Sequence, residues 1–338
     1  MNSLLLIILS ALIWLGGGPA LAQVSGRSLS PPAVQPGVDQ WLMQLHAASR
    51  RRAYAGTFVV TSGELMSSSR IWHVCDGQQQ VERVEALTGE PRSTFRRNDQ
   101  VVTFLPVSRV AIQERRESLG LFPDLLRQAD GSVARYYRLN IIGHERVAGL
   151  QADIAQLTPL DALRFAYKIW TEQKTGLVIK LQTMDSGHAV LEQAAFSELQ
   201  LNAPVQMARL MAQMDNTQGY RVRQARLVNT TAEQEGWLQK APVPGFRPMS
   251  CNKRADASLL GGNGTTLQCV FSDGLASVSL FIEPFDATRH TAARQAAPPA
   301  MGATHVLVQK IGDWWLTAVG EVPMQTLVLF AQGLERKK

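Results

Sequence analysis

The chain opens on an unbroken apolar run, LLLIILSALIWL (4–15), which is stopped by Gly16-Gly17-Gly18-Pro19 and followed by Ala20-Leu21-Ala22. Small residues at 20 and 22 are those a signal peptidase reads, so residues 1–22 form a secretory signal cleaved after Ala22, although no Lys or Arg precedes the run. The competing reading is a membrane anchor, but the run is shorter than the roughly 20 residues that span a bilayer. No later stretch is long and apolar enough to cross one, so the mature chain is expected to be exported and soluble. Residues 23–37 are polar and proline-rich and are expected to be a disordered lead-in. The pattern then becomes helical: Val38, Trp41, Leu42 and Leu45 share one face, with Asp39 placed near the start to complement the helix dipole.

From Tyr54 onward the pattern is that of short strands. YAGTFVV (54–60), SRIWHV (69–74), QQVERVEAL (79–87), RSTFRR (92–97), QVVTFLP (100–106) and SRVAIQ (108–113) are separated by Ser62-Gly63, Asp76-Gly77, Thr88-Gly89-Glu90-Pro91 and Asn98-Asp99. Closely spaced strands with such turns predict an antiparallel meander. Residues 116–131, with Leu119, Leu121, Phe122, Leu125 and Leu126, read as a short apolar helix or a lid. Strands resume at 135–142, 144–159, 163–173, 176–185 and 189–201. Several are apolar on both faces, as at Phe165, Tyr167, Ile169 and Trp170, and such a sheet must be covered twice or curl around something. The expectation is an α+β protein whose first domain (38–215) is a large curved antiparallel sheet with helices lying across its hollow, a shape that also suits a hydrophobic ligand. The closing helix, 203–215, carries Met207, Met211 and Met214 on one face, a stripe suited either to core packing or to an adaptable cavity wall.

Residues 216–235 lose this periodicity and read as a linker to a second, smaller α+β domain (236–338). Strands are expected there at 265–272, 275–283, 303–310 and 312–320, with a final helix at 323–334 and a short helix within 286–298. In FSDGLASVSLFIEPF (271–285), Asp273-Gly274 reads as a tight turn. Ala276, Val278, Leu280 and Ile282 then face one side of the next strand and Ser277, Ser279 and Phe281 the other, and Glu283-Pro284 ends it.

Composition narrows the function. The net charge of +6 over 338 residues is mildly basic, and Arg50–Arg52, Arg96-Arg97, Arg115-Arg116 and Arg336–Lys338 are short clusters, not the concentrated patch of a nucleic-acid binder. They suit a solvated face, anionic lipid headgroups or an acidic partner peptide. Of the three cysteines, Cys251 and Cys269 lie 18 positions apart in an exported chain. A bridge between them would close a loop containing Gly261-Gly262-Asn263-Gly264 and contribute about 3 kcal/mol. Cys75 is left over, as a buried and unreactive thiol. None of the six histidines pairs with another at metal-ligand spacing, no G-x-S-x-G or phosphate-binding loop occurs, and Glu82 and Glu85 fall on opposite faces of one strand. The residues therefore describe a binding or regulatory module and not an enzyme, with no cofactor.

Two long stretches of the first domain (54–92 and 164–199), together with FSDGLASVSLFIEPF and GDWWLTAVGEVP (312–323) of the second, resemble the RseB/MucB family of periplasmic sigma-E regulators. The resemblance runs over roughly residues 38–333 in the family's two-domain order. It implies an unclosed half-barrel similar to the lipoprotein carriers LolA and LppX, followed by a smaller α/β domain. It also implies a periplasmic protein that binds the anti-sigma factor RseA (MucA) and shields it from the protease DegS, with lipopolysaccharide or another acyl lipid loosening the grip. The half-barrel alone would also suit a lipid or lipoprotein carrier, and self-association into a homo-oligomer stays open. No catalytic residue carries over. The candidate partner-binding residues are Arg221, Arg223, Arg226, Ser272, Asp273, Ser277, Ser279, Glu283, Trp314 and Trp315. The candidate lipid-binding residues are Phe58, Trp72, Phe104, Phe122, Leu125, Leu126, Tyr167, Trp170, Met207 and Met211, each of which could equally be ordinary core.

Overall fold

The structure is a computed structural model, described for residues 37–115, 122, 132–224, 227–254, 265–290 and 302–337. Residues 1–36, which hold the expected signal sequence and all but the last residue of the expected lead-in, lie outside the described residues, as do most of 116–131, Gly261–Gly264, 291–298, Leu125, Leu126 and Arg226.

The first half begins with α1 (Val38–Arg50), followed by β1 (Tyr54–Ser62), β2 (Leu65–Cys75), β3 (Gln80–Ala86), β4 (Ser93–Arg97), β5 (Gln100–Leu105) and β6 (Val110–Arg115). A 3-10 turn at Val133–Arg135 leads into β7 (Tyr137–Val147), β8 (Leu150–Pro159), β9 (Ala166–Glu172), β10 (Val178–Met184) and β11 (Val190–Leu201), and α2 (Met207–Asp215) closes the half. The second half holds β12 (Arg221–Gln224), β13 (Leu227–Asn229), β14 (Trp237–Gln239), β15 (Arg247–Arg254), β16 (Thr266–Ser272), β17 (Ser277–Pro284), β18 (His305–Ile311), β19 (Trp314–Gly320), α3 (Met324–Gly333) and β20 (Leu334–Arg336).

Twelve strands form one unclosed sheet in the order β12-β6-β5-β4-β3-β2-β1-β11-β10-β9-β8-β7, antiparallel except for β12 on β6. The meander arises because each turn returns the chain beside the strand it has just left, and β1 is sealed against β11 by sequence-distant pairing (Tyr54 to Leu201). A second sheet runs β13-β15-β16-β17-β19-β18.

Strand alternation decides which face each helix covers. Tyr54, Phe58, Ile71 and Val84 share one face, and Trp41, Leu42 and Leu45 of α1 are buried in the same cluster. Asp39, in the first turn of α1, accepts a hydrogen bond from the Val133 amide at 3.2 Å and so ties the helix to the turn before β7. Val81, Phe95, Val102, Phe104 and Ala111 alternate to the opposite face, where Leu210 and Met214 of α2 cover them. The expectation that the helices lie across one hollow is therefore corrected: α1 and α2 cover opposite faces of the sheet. The reason is the two-faced apolar character of β3 to β6, which needs two covers.

Four further differences from the sequence expectations have local causes. The break expected at 143 is a bulge inside β7, and the chain turns instead at Ala148-Gly149, both at positive φ (49° and 80°), the conformation of a tight hairpin turn. Residues 216–235 supply edge strands to both sheets, β12 to the first and β13 to the second. Residues 247–254 form β15, whose Pro248 sits at a register shift where no ladder donor is needed. Cys75 is half-exposed at the end of β2 and not buried; partial burial still pushes its thiol above the ordinary value.

Cys251 and Cys269 are directly opposed on β15 and β16 and form a disulfide. Replacing both by serine should lower stability by about 3 kcal/mol on the loop-entropy argument. Urea unfolding in the absence of reductant checks this, and adding reductant should bring the native protein to the same midpoint.

Candidate functional site

The FSDGLASVSLFIEPF hairpin is where the two sheets meet. Its loop is longer than the two-residue turn expected, because β16 ends at Ser272 and β17 begins at Ser277, leaving Asp273–Ala276 between them. Side chains close this loop. Asp273 Oδ1 accepts from the amides of Leu275 (3.0 Å) and Ala276 (2.8 Å). Ser272 Oγ donates to Ala276 O (2.8 Å) and accepts from the Gly274 amide (3.0 Å), with Gly274 at φ 103°.

The other carboxylate oxygen of Asp273 faces the first sheet. Oδ2 accepts from Arg164 Nε at 2.7 Å and from the Tyr137 hydroxyl at 3.2 Å. Both side chains of the Arg164–Asp273 pair are fully shielded from solvent, at 0 % exposure each. Arg164 also donates to Asp161 Oδ2 (2.5 Å) and to Pro244 O (2.6 Å), and its guanidinium carbon lies 4.3 Å from the Tyr136 ring centre and 5.0 Å from that of Phe246. Apolar contacts flank this pair reciprocally: Leu163 is buried in the core of the second sheet, and Leu275 packs against the core of the first. Thr326 of α3 donates to Leu163 O at 2.8 Å, and Phe165 lies 5.8 Å from the His305 ring.

Burial pushes the Tyr137 phenol well above its ordinary value of 10.0, with the neighbouring Tyr167 and Asp273 adding to the shift; burial does the same for Tyr167, with Asp273 and Glu321 adding. A folded-state value raised above the unfolded one means that stability is intact below about pH 10 and is lost as pH rises above it. Absorbance at 295 nm during alkaline titration should therefore show these two phenols ionising together with unfolding, and not before it.

The candidate partner-binding residues are consequently dispersed. Ser272 and Asp273 are buried in the loop and the junction, so neither faces a partner in this conformation. Glu283 is held internally: its Oε1 accepts from His290 Nε2 at 2.9 Å, while His290 Nδ1 accepts from the Asp286 amide. The His290 ring stacks on buried Trp315 at 4.5 Å. Trp314 points elsewhere, meeting Trp237 edge-on at 5.7 Å under the Arg336 guanidinium at 4.2 Å. Arg336, expected in a solvated cluster, thus has a packing role. Ser277 and Ser279 stay half-buried, alternating with the core residues Val278 and Leu280. Arg221 is exposed and Arg223 half-buried on edge strand β12.

The candidate lipid-binding residues do not form one lining either. Phe58 and Tyr167 are buried in the α1-side cluster, with Phe122 at 5.8 Å from Phe58 and 5.1 Å from Phe196. Trp72, Phe104, Met207 and Met211 belong to the α2-side cluster. Trp170 is buried in the same cluster as Phe58 and Tyr167, although it alternates to the other side of β9 from Tyr167; its indole donates to Glu145 at 2.5 Å and the ammonium groups of Lys168 and Lys180 lie 4.9 and 4.2 Å from its ring centre. The residues that build the junction, Arg164, Tyr137, Asp161 and Leu163, were not singled out by sequence reasoning. The available signal was Arg164 itself, a charge beginning RFAYKIW, a segment apolar on both faces.

An unclosed sheet is thus joined to a smaller sheet through a buried junction, and among the described residues no group of His, Cys, Asp or Glu is placed to hold a metal ion. Profiles of the MucB/RseB N-terminal domain and of the MucB/RseB C-terminal domain match residues 37–214 and 231–335. The chain belongs to the MucB/RseB family. It is 28 % identical over 312 residues to the sigma factor AlgU regulatory protein MucB of Pseudomonas aeruginosa, covering 91 % of this chain and 94 % of that protein. It is 20 % identical over 321 residues to the sigma-E factor regulatory protein RseB of Escherichia coli K12, covering 94 % and 96 %. The fold is shared with crystallised MucB in complex with MucA(peri), at a TM-score of 0.66 and 24 % identity over 88 % of this chain and 98 % of that one. The Pseudomonas aeruginosa MucA/MucB complex gives a TM-score of 0.67 at 23 % identity over 89 % and 99 %.

Proposed function

We propose that this protein is an exported regulator of an envelope-stress sigma factor, acting as a binding protein and not an enzyme by holding the periplasmic region of a membrane-anchored anti-sigma factor of the MucA/RseA type. The observation that carries this reading is the match of both domains, in order, along 94 % of a MucB that is itself a sigma factor regulatory protein. The relative crystallised with MucA(peri) supports the choice of partner. Holding that region shields it from a DegS-type protease, and lipopolysaccharide or another acyl lipid loosens the hold. Support for a lipid signal comes from the apolar face under α1, where Phe58 and Phe196 pack on Phe122, and from the net charge of +6, which suits anionic headgroups. The periplasm is the compartment, with the first 22 residues acting as the export signal. No described helix is long and apolar enough to cross a membrane.

The test uses the mature chain and the purified periplasmic region of its cognate anti-sigma factor. The protein should capture that region in a pull-down and slow its cleavage by a DegS-type protease, and lipopolysaccharide should restore cleavage. No protection at saturating protein would sink the reading. Transfer of lipid from this protein to acceptor vesicles, without protection, would favour a carrier instead.

A further inference from the structure

We propose that the Arg164–Asp273 contact is a two-state joint: closed, it holds the two sheets as one body; open, both ions pass into water and the domains pivot as separately folded units. The chemistry at the centre of the junction is what makes it switch-like. When it is closed, Arg164 Nε, Nη1 and Nη2 each have an acceptor, in Asp273, Asp161 and Pro244 respectively. Both oxygens of Asp273 are also bonded, one within its own loop and one across the junction. A half-open state would strand an arginine or a carboxylate in a dry site, which is the expensive arrangement. A fully open state returns both ions to water, where they are well solvated. The two ends are therefore favoured over anything between them, as in bistable interfaces elsewhere.

The hairpin is built to survive opening. Asp273 Oδ1 and Ser272 Oγ close the 273–276 loop from within, without help from the first sheet. On the other side, Arg164 precedes β9, whose pairing with β8 and β10 lies wholly in the first sheet. Opening would break the Thr326 hydroxyl bond to Leu163 and the ring contacts of Arg164 with Phe246 and of Phe165 with His305, and would expose Tyr137, Leu163 and Leu275. A ligand that binds one state better than the other would shift the joint by its difference in affinity alone. This inference does not depend on which partner the protein holds.

The experiment uses the mature full chain and needs no partner. Arg164→Met leaves Asp273 buried and unpaired, so the closed state should lose stability relative to the open one by about a hundredfold. Hydroxyl-radical labelling should then rise at Tyr137, Leu163 and Leu275, while the amides of β1 and β11, and those of Leu275 and Ala276 within the self-closed loop, keep their native hydrogen-exchange protection. Small-angle scattering should report a larger radius of gyration, with the far-ultraviolet circular dichroism unchanged. The uncharged pair Arg164→Met with Asp273→Asn removes the bare charge and should return part of the way to the closed state. Arg164→Lys, which keeps the charge but loses the fork, should fall between wild type and Arg164→Met. Unchanged scattering and labelling in Arg164→Met would overturn the joint. So would faster hydrogen exchange at β1 and β11, because the pair would then be an ordinary contributor to global stability.

Discussion

Arg96→Met is expected to destabilise the first domain by about 3–5 kcal/mol, the range for removing one partner of a buried ion pair. Arg96 and Glu82 face each other across β4 and β3 with side-chain exposures of only 2 % and 8 %, and Nη2 lies 3.3 Å from Glu82 Oε2. Arg96 Nη1 also donates to Asn98 O at 3.1 Å, and Asn98 Oδ1 accepts from the Gln80 amide, so the guanidinium secures the β4–β5 turn as well. Losing it leaves the Glu82 carboxylate beside buried His73 with no counter-ion. Arg83 and Glu85, on the same strand β3 but the opposite face, make the contrasting case. They are 3.0 Å apart with exposures of 22 % and 37 %, and breaking that ion pair should remove about 1 kcal/mol or less of electrostatic stabilisation. Urea unfolding of the mature chain compares the two. Adding Glu82→Gln to Arg96→Met should recover a good part of the loss, and a double variant no better than the single one would show that packing, not charge, is at stake.

Phe330→Ala should weaken the second domain by about 3–5 kcal/mol, the range for deleting a buried aromatic side chain. Phe330 is 1 % exposed at the centre of α3 and meets Phe246 at 5.5 Å and Phe271 at 5.0 Å. Those three rings come from the helix, the segment before β15 and strand β16, so removing one opens the layer between α3 and its sheet. A lower-temperature transition assigned to the second domain should fall by about 12 °C or more, given several degrees per kcal/mol for a unit of about 100 residues. The first domain's transition should move little. A single transition that shifts as a whole would mean that the domains unfold as one cooperative unit.

Much of the architecture was legible along the chain because period-two alternation and turn residues are local signals. The strands of the first domain, the amphipathic faces of α1 and α2, the separation of Glu82 from Glu85 and the pairing of Cys251 with Cys269 all follow from spacing. The errors came where local signals are silent. Pro248 at a bulge hid β15, and the arginines of 221–224 hid an edge strand that the rest of the sheet recruits. The candidate site fared worse for the same reason. Asp273 has the sequence of an exposed turn, and only a residue 109 positions away, Arg164, makes it a buried ion. Glu283 and Trp315 looked available on an alternating strand until His290 closed over them.

The amino-acid sequence by itself determined the family, the order of the two domains, the strand-rich character of each and the absence of a recognisable catalytic motif, because these rest on composition, periodicity and contiguous motifs. The tertiary structure alone decided which face each helix covers, that the eight described candidate lipid contacts are divided between two clusters, and that the Asp273 hairpin is a joint between sheets. Those outcomes depend on which distant side chains meet in a water-free space, and burial of that kind has no signature in neighbouring residues.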